Sequence, residues 1–379
     1  MPEPFKNIFN KSLIHNMAIH LATAWPGFDQ KKFKKLAGRK LETLELKQRS
    51  TQITDALSNC LPNDYDHAAS IMLSSLGNEL CYDLSAGEKD TQGISGWAVM
   101  PMAHYVAIHG QGSFDRSMTL LKEMTKRSSS EFAIRYFLLE SPQKTLKVLK
   151  SWAYDPNFHV RRLVSEGTRP RLPWAQQLPQ FIRNPNSVIE LLDILKDDNE
   201  EYVRRSVANN LNDISKDHPA LVANIAKDWI KDANEERKKL IKHGCRSLLK
   251  QGHKKTLNVF GYTSPKLQQA KLHVSTPKVT FGQHLEFGIS LQSDIKRNQL
   301  LMIDYVVHHQ KANGSLSPKV FKWTTKHLPA QGKLQITKKH PMKYVTTRVY
   351  YPGLHRLEVI INGKSVGCKD FELLKEDRL

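Results

Sequence analysis

The stretch Asp155-Pro156-Asn157-Phe158-His159-Val160-Arg161-Arg162-Leu163-Val164-Ser165-Glu166-Gly167-Thr168-Arg169-Pro170-Arg171-Leu172-Pro173-Trp174 reads as a turn, a short helix carrying an Arg pair, and a Gly/Pro stop. Read locally, it leaves Glu166 and Trp174 at an exposed helix end. Its first half recurs 43 residues later, where Asp155, Val160, Arg161, Arg162 and Val164 return as Asp198, Val203, Arg204, Arg205 and Val207. The preceding helix repeats as well, with Leu146, Leu149 and Trp152 matched by Ile189, Leu192 and Leu195 at the same offset. A looser third copy runs from Ile225, Ala226 and Trp229 to Lys238, Lys239 and Ile241. Two-helix units of this length, with Asp in the turn and Val-Arg in the second helix, are HEAT-like. Each such unit hides its apolar face only against its neighbours, so the predicted product is a curved solenoid with a concave surface.

Working outward, helical periodicity runs from Lys6 to about Asp90 and resumes at Gly96-Trp97-Ala98-Val99-Met100-Pro101-Met102, with a break at Gly110-Gln111-Gly112. Helices are predicted over 114–126, 131–139, 142–154, 158–166, 187–196, 201–214, 219–231 and 235–251. After Gly252 the pattern changes to short β-branched or aromatic runs: 279–281, 285–291, 300–307, 333–336, 344–351 and 354–361. Asn313-Gly314 and Asn362-Gly363 are dipeptides favoured in tight hairpins, whose two central residues both need positive φ. The fold class expected is therefore multidomain: an all-α HEAT-like repeat solenoid over residues 1–262, followed by an all-β immunoglobulin-like sandwich of about seven strands over 266–379.

Length supports two domains, each able to bury a core. A composition of 40% hydrophobic and 25% charged residues is that of a globular protein and excludes a disordered chain. No apolar run is long enough to span a membrane, and Met1-Pro2-Glu3-Pro4 does not open a signal peptide, so a cytoplasmic chain is expected, at the nucleoid when bound to DNA. Cys60, Cys81, Cys245 and Cys368 are widely spaced, which argues against a disulfide framework or a zinc site. The formal net charge of +20 makes nucleic acid the leading partner, because a polyanion gains affinity from each cation that displaces its condensed counterions. Residues 266–379 carry 19 Lys and Arg against 8 Asp and Glu, more than half of that excess. This suggests that the sandwich closes over DNA as a clamp, with loops around Lys296-Arg297, Lys311, Lys322 or Lys338-Lys339 as candidate contacts; a solubilising or partner-binding module is the alternative.

Several residues stand out, each with a plain reading beside the functional one. Glu166, at the negative end of a helix dipole, is placed against its local preference; it is either used or simply paired with Arg162 or Arg169. Trp174, stiffened by Pro170 and Pro173, is either core or an exposed face for a cationic ligand. Glu131 follows Ser128-Ser129-Ser130 and suits a helix start. Asp213, in Asn209-Asn210-Leu211-Asn212-Asp213, suits a helix end. In each Arg pair one member is expected to brace the turn and the other to face outward, where it could contact phosphate. No phosphate-binding loop, nucleophile elbow or zinc-protease motif is present.

The strings 96–101, Ser130-Glu131-Phe132-Ala133-Ile134-Arg135, 159–174 and Val203-Arg204-Arg205-Ser206-Val207-Ala208-Asn209-Asn210-Leu211-Asn212-Asp213 resemble the AlkC branch of the HEAT-like DNA alkylation repair glycosylases. The resemblance covers roughly residues 1–260. The sandwich is similar in pattern to the immunoglobulin-like extension of part of that branch. The resemblance implies an enzyme that removes cationic alkylated bases, chiefly 3-methyladenine and with 3-methylcytosine as a second substrate, from duplex DNA by hydrolysing the N-glycosidic bond in base excision repair. It implies Glu166 as the central catalytic carboxylate, Glu131 and Asp213 flanking it, and Trp174 as an aromatic wall. Arg161, Arg162, Arg169, Arg171, Arg204 and Arg205 are the candidate DNA contacts. No cofactor, metal or membrane is implied, the lesion stays largely stacked in a kinked duplex, and a monomer is expected. The alternatives are a non-catalytic HEAT scaffold or DNA-binding protein, whose acids only cap helices, and an RNA-binding HEAT protein.

Overall fold

Two aspartates turn the chain at the same place in successive repeats. Asp155 Oδ1 accepts the Asn157 N–H at 2.8 Å and Asp198 Oδ1 accepts the Glu200 N–H at 2.9 Å, the local bond that lets Asp replace a backbone turn. In each repeat the first arginine of the pair then reaches back to brace that turn. Arg161 Nη1 donates to the carbonyls of Asp155 and Pro156 at 2.9 and 3.0 Å, and Arg204 Nη1 donates to those of Asp198 and Asn199 at 2.5 and 2.8 Å. Arg161 also joins the two repeats through a two-pronged bond to Asp198, Nε to Oδ2 at 2.6 Å and Nη2 to Oδ1 at 3.0 Å.

The computed structural model describes residues 4–81, 92–345 and 349–375. The period seen in the sequence is the period of the core: Val160, Val164, Val203, Val207, Leu149 and Leu192 are fully buried. The helices that carry them, Pro142–Trp152, Phe158–Gly167, Asn186–Leu195 and Glu201–Ile214, pack in sequence, the second also against the fourth. Sixteen α-helices among the described residues precede the strands. The predicted helices at 201–214 and 158–166 match closely, whereas the one at 131–139 begins only at Ile134, leaving Glu131 in a turn. The stretch 235–251 is two helices, Glu235–Gly244 and Arg246–Lys250, parted at Cys245. No helix among the described residues is long and apolar enough to cross a membrane.

Strand begins after the last helix, Lys254–Val259. Eight strands follow: β1 Leu267–Val274, β2 Lys278–Thr280, β3 His284–Ser293, β4 Gln299–Gln310, β5 Leu316–Leu328, β6 Lys333–Pro341, β7 Gly353–Ile361 and β8 Lys364–Leu374. They form a three-stranded sheet in the order β1-β3-β6 and a five-stranded sheet in the order β2-β8-β7-β4-β5. Phe287 and Ile289 of β3 meet Tyr305 of β4, Val359 of β7 and Phe371 of β8 in the core between them. Three of these strands, β1, β5 and β8, carry no clear apolar alternation and were not foreseen. The expected strand at 344–351 is not seen: Tyr344 and 349–351 are in no strand, and 346–348 lie outside the described residues, as do 82–90 of the first helical stretch. Asn362 and Gly363 both have positive φ, at 46° and 76°, as their hairpin requires. At the other turn only Gly314 does, and its N–H closes a longer loop on the Lys311 carbonyl at 3.0 Å.

Compact units divide differently from the change of secondary structure. Met1–Asp217 with Ala233–Gly244 form one unit, and His218–Asp232 with Cys245–Leu379 form the other. The helices Pro219–Trp229, Arg246–Lys250 and Lys254–Val259 thus belong with the sandwich, and the two helices of the loose third repeat fall in different units.

Because Asp198 both caps its own turn and holds Arg161, Asp198→Ala should lower the unfolding free energy by about 2 kcal/mol. Denaturant titration at constant m-value checks this. A midpoint unchanged from wild type would mean that the Arg161 pair does not join the repeats.

Candidate active site

The helix Phe158–Gly167 opens with the Asn157 side chain accepting the His159 N–H at 2.9 Å. It ends where Gly167 meets the helix Ile134–Glu140; a Cβ on Gly167 would lie 2.5 Å from Ile134 Cγ2. Only glycine allows that approach. Glu166, the residue before it, is 5% exposed. The expectation of an exposed Glu166 at a free helix end is thereby corrected. Its carboxylate is nonetheless ringed by cations, as one turn of helix spacing allows. Arg169 Nη1 donates to Oε1 at 2.6 Å, and Arg162 Nη2 stands 3.5 Å from the same oxygen. The hydroxyl of Ser206, from the helix Glu201–Ile214, donates to Oε2 at 2.6 Å. Burial pushes the Glu166 pKa up, but the charges of Arg162 and Arg169 with the Ser206 hydrogen bond outweigh it, and the net shift is downward.

Each arginine carries the chain of charge onward. Arg162 Nη1 donates to Glu131 Oε2 at 2.5 Å and to Ser129 Oγ at 3.1 Å, and the Ser129 hydroxyl donates to the same Glu131 oxygen at 2.8 Å. Arg169 Nε donates to Asp213 Oδ2 at 2.8 Å, and Lys216 Nζ to Asp213 Oδ1 at 2.9 Å. The three carboxylates picked from the sequence therefore stand in one row, Glu131–Arg162–Glu166–Arg169–Asp213. Its Glu131–Arg162 end is half-buried and its Glu166–Asp213 end is buried. Burial works against the Arg162 charge, yet Glu131 and Glu166 hold its pKa above the usual guanidinium range.

Trp174 lines a cavity that meets this row only through Ser129, the hydrogen-bond partner of Glu131. It is 58% exposed, which settles against a core role, and it adopts φ of 66°, a conformation costly for a side chain of its size. Lys47 Nζ donates to its carbonyl. Arg135, fully buried, holds both sides of this loop: Nη1 donates to the carbonyls of Gly167 and Arg169 at 3.0 and 2.7 Å, and Nε to that of Gln176 at 2.8 Å. Burial first, and then the neighbouring Arg169 charge, bring its pKa down to about 10. A cavity of about 210 Å³ lies under the indole, lined by Trp174, Lys47, His104, Tyr136 and Phe132, and Ser129 closes its wall toward Glu131. The sequence reading did not anticipate this cavity.

The six arginines picked as DNA contacts are placed in four different ways. Arg161 and Arg204 brace turns, and Arg162 and Arg169 are held in the carboxylate row. Arg171 makes a two-pronged bond to Asp217, both arms at 2.8 Å. Arg205 is exposed and lies 5.9 Å from the Tyr202 ring centre, with Arg162 at 5.1 Å from the same ring. Ser206, Arg135 and Lys47 were missed. For Ser206 a signal existed: it stands 43 residues after Leu163, a fully buried apolar position, so the repeat places a hydroxyl where its sister places core.

The family model described as DNA alkylation repair enzyme matches residues 25–248, and one described as the C-terminal Ig-like domain of uncharacterised protein YhaZ matches residues 268–375. The chain is 36% identical over 376 residues to the uncharacterized protein YhaZ of Bacillus subtilis (strain 168), covering 97% of this chain and 99% of that protein. Among solved structures it is similar to Pseudomonas fluorescens alkylpurine DNA glycosylase AlkC bound to DNA containing an abasic site analog. That match has 35% identity and a TM-score of 0.86, and covers 98% of this chain and 100% of the other.

Removing the charge of Glu166 leaves the buried Arg169 and the half-buried Arg162 each short of a partner, so Glu166→Gln should cost about 3 kcal/mol of stability at neutral pH. Because the folded carboxylate binds its proton less readily than the unfolded one, this contribution is complete above the ordinary value of 4.5 and is lost as pH falls through the lower folded value. The melting-temperature gap between wild type and variant should therefore be widest at pH 6 to 7 and shrink below pH 4.5. A gap independent of pH would show that the carboxylate charge is not what stabilises the site.

Proposed function

The chain belongs to the DNA alkylation repair enzyme family, in the AlkC/AlkD group with a C-terminal immunoglobulin-like domain, and on that premise we propose that it is a DNA glycosylase releasing cationic alkylated bases, chiefly 3-methyladenine and also 3-methylcytosine, from duplex DNA. The observation that carries this reading is the row of three carboxylates joined by Arg162 and Arg169 beside an exposed indole. An alkylated base with a full positive charge is already a good leaving group, so the protein's task is to stabilise positive charge as it develops on the sugar. Glu166 is held ionised for that purpose, Glu131 lies at the accessible end of the row, and Asp213 fixes Arg169. In the unbound chain Arg162 offsets the two glutamates. A DNA phosphate that drew Arg162 away would leave both carboxylates facing the sugar, so the negative field would arise only on substrate. One of the two would then align the attacking water, and Trp174 would hold the cationic base or sugar by its π face. A duplex containing the lesion is the substrate, and DNA phosphates are the partners of the exposed Arg205 and of Arg171.

A second reading has its own support. Every carboxylate of the row is already ion-paired, as in a purely structural network, and a non-catalytic DNA-binding scaffold would need nothing more. Release of free base separates the two. With methylated duplex under single-turnover conditions, wild type should liberate alkylated base. Glu131→Gln and Glu166→Gln, assayed below their melting temperatures, should each slow release by about a hundredfold, near 3 kcal/mol of barrier. Trp174→Ala should lose rate together with part of the binding. Absence of base release by wild type would leave the scaffold reading.

The sandwich carries the larger charge excess, and we assign it phosphate contacts. Lys322 and Lys338-Lys339, expected in loops, lie on strands: Lys338-Lys339 on β6, and Lys322 on β5, the edge strand of the five-stranded sheet, with Lys319 and Lys326 exposed along the same strand. Deleting residues after 265 would cut through a compact unit, so neutralisation is the cleaner test. Lys319→Gln, Lys322→Gln and Lys326→Gln together should weaken binding to damaged and undamaged duplex alike. The slope of log affinity against log salt should flatten by about 0.9 for each phosphate deprived of its lysine. An unchanged slope would remove β5 from the DNA interface.

A further inference from the structure

Trp97 belongs to one of the strings that carry the family resemblance, yet the proposed chemistry does not use it. It is 36% exposed, and Phe5, 53% exposed, meets it edge to face with ring centres 5.2 Å apart. Phe5 in turn lies 6.3 Å from the Trp174 ring. Three large aromatic side chains from distant segments thus converge at the surface of one compact unit.

Each ring stands on a backbone that is fixed from beneath. Buried Arg49 donates Nη1 to the Lys6 carbonyl at 3.1 Å and the Phe9 carbonyl at 3.0 Å, and Nε to that of Leu44 at 3.0 Å, which clamps the turn carrying Phe5. Gly96 takes φ of 60° and donates its N–H to the Arg127 carbonyl at 2.9 Å, which sets the direction of Trp97. The Trp97 ring also rests edge-on against buried Phe9, with centres 6.3 Å apart. Trp174 is held at positive φ by the Lys47 and Arg135 contacts on its loop. An exposed apolar face whose backbone is so constrained has little freedom left to lose on binding.

We infer that Phe5, Trp97 and Trp174 form a stacking platform for nucleobases unstacked beside the lesion. The inference rests on the reading of the chain as a protein of damaged DNA, and it adds the surface that takes the base faces. Charge favours DNA as the occupant over an apolar protein: the chain carries +20, and exposed Lys47 sits on the Trp174 carbonyl at the platform's edge. Trp174 belongs both to the platform and to the cavity that Ser129 walls off from Glu131, so the surface is continuous with the candidate active site. Cations along the backbone and rings under the bases are the pairing by which proteins hold unpaired nucleotides, without sequence preference because every base has a π face.

The test uses the full chain and a duplex with an abasic-site analogue flanked by 5-iodouracil, with intact duplex alongside. Near-ultraviolet crosslinks in the wild-type complex should map to Phe5, Trp97 or Trp174. The double variant Phe5→Leu with Trp97→Leu keeps apolar bulk and removes the π faces. It should bind the abasic duplex about tenfold or more weakly, with a smaller loss on intact duplex and no change in salt slope, since no cation is touched. Phe5→Leu alone supplies the comparison if the double variant melts early. Unchanged affinity with crosslinks elsewhere overturns the platform, as does a flattened salt slope without ring crosslinks. Loss of self-association in the variant, with DNA binding intact, would make a second copy the occupant. Ring crosslinks without base release by wild type would remove the glycosylase reading alone, whereas base release with the variant's binding unchanged would remove the platform alone.

Discussion

A carboxylate buried beside a glycine contact is the constraint from which the helical unit follows. Glu166 cannot stay ionised in the interior without cations close by, because desolvation alone would drive it to its neutral form. The chain supplies Arg162 from one turn earlier and Arg169 from the turn after, and each of these largely desolvated cations takes a further anion. Glu131 and Asp213 answer that need from two other segments, so satisfying one charge fixes five side chains. The relative placement of the helices Ile134–Glu140, Phe158–Gly167 and Glu201–Ile214 is thereby tied to electrostatics as well as to packing. Members of such a row act together, and losses from single changes within it will not add.

What the sequence made legible was whatever repeats. The 43-residue period, the turn aspartates and the bracing role of one arginine in each pair follow from residue type and spacing, and the geometry at Asp155 and Asp198 bears them out, whereas of the other two Arg205 is exposed and Arg162 is turned into the carboxylate row. Burial of Glu166 was not legible, because it comes with contacts between residues far apart in the chain, such as the Ser206 hydroxyl on its carboxylate. Read locally, a Glu before a Gly/Pro stop is a frayed end; read in the fold, it is interior. The same limit hid β5 and β8. Along β5 half-buried and exposed side chains follow no regular alternation, with Lys319, Lys322 and Lys326 facing water, so no period-two apolar signal exists at this edge. Asn362-Gly363 gave the hairpin its dipeptide and both positive φ values, whereas Asn313-Gly314 shows that the same dipeptide also serves a longer loop with one.

Arginine does a different task at each depth. Arg49 and Arg135 are buried, and both bond mainly to backbone carbonyls, so they act as fasteners for the segments of Phe5 and Trp174 rather than as charges offered to a ligand. Arg161 and Arg204 do the same for turns at the surface. A guanidinium suits this work because its planar fork can reach several carbonyls at once, where a lysine would reach fewer and lose more freedom in doing so. The high count of basic residues therefore overstates the charge available to a ligand, and on the proposed reading the phosphate contacts are drawn more from exposed lysines than from the arginine pairs the repeat displays.

Stability alone does not account for the carboxylate row. Buried ion pairs are often no better than apolar residues of similar size, and desolvating five charged groups is costly even when all are paired. Trp174 adds to that cost through its positive φ and its exposure. What the arrangement supplies is position: ionised oxygens and an aromatic face held in place before any ligand arrives, on helix ends and a loop locked by Arg135. Preorganised charge is worth most where it need not rearrange as a reaction proceeds. Arg162 lies at the half-buried end of the row, shared between two glutamates and set over the Tyr202 ring. On the proposed reading a phosphate that took this cation would leave the row more anionic, which would couple its electrostatics to the arrival of DNA.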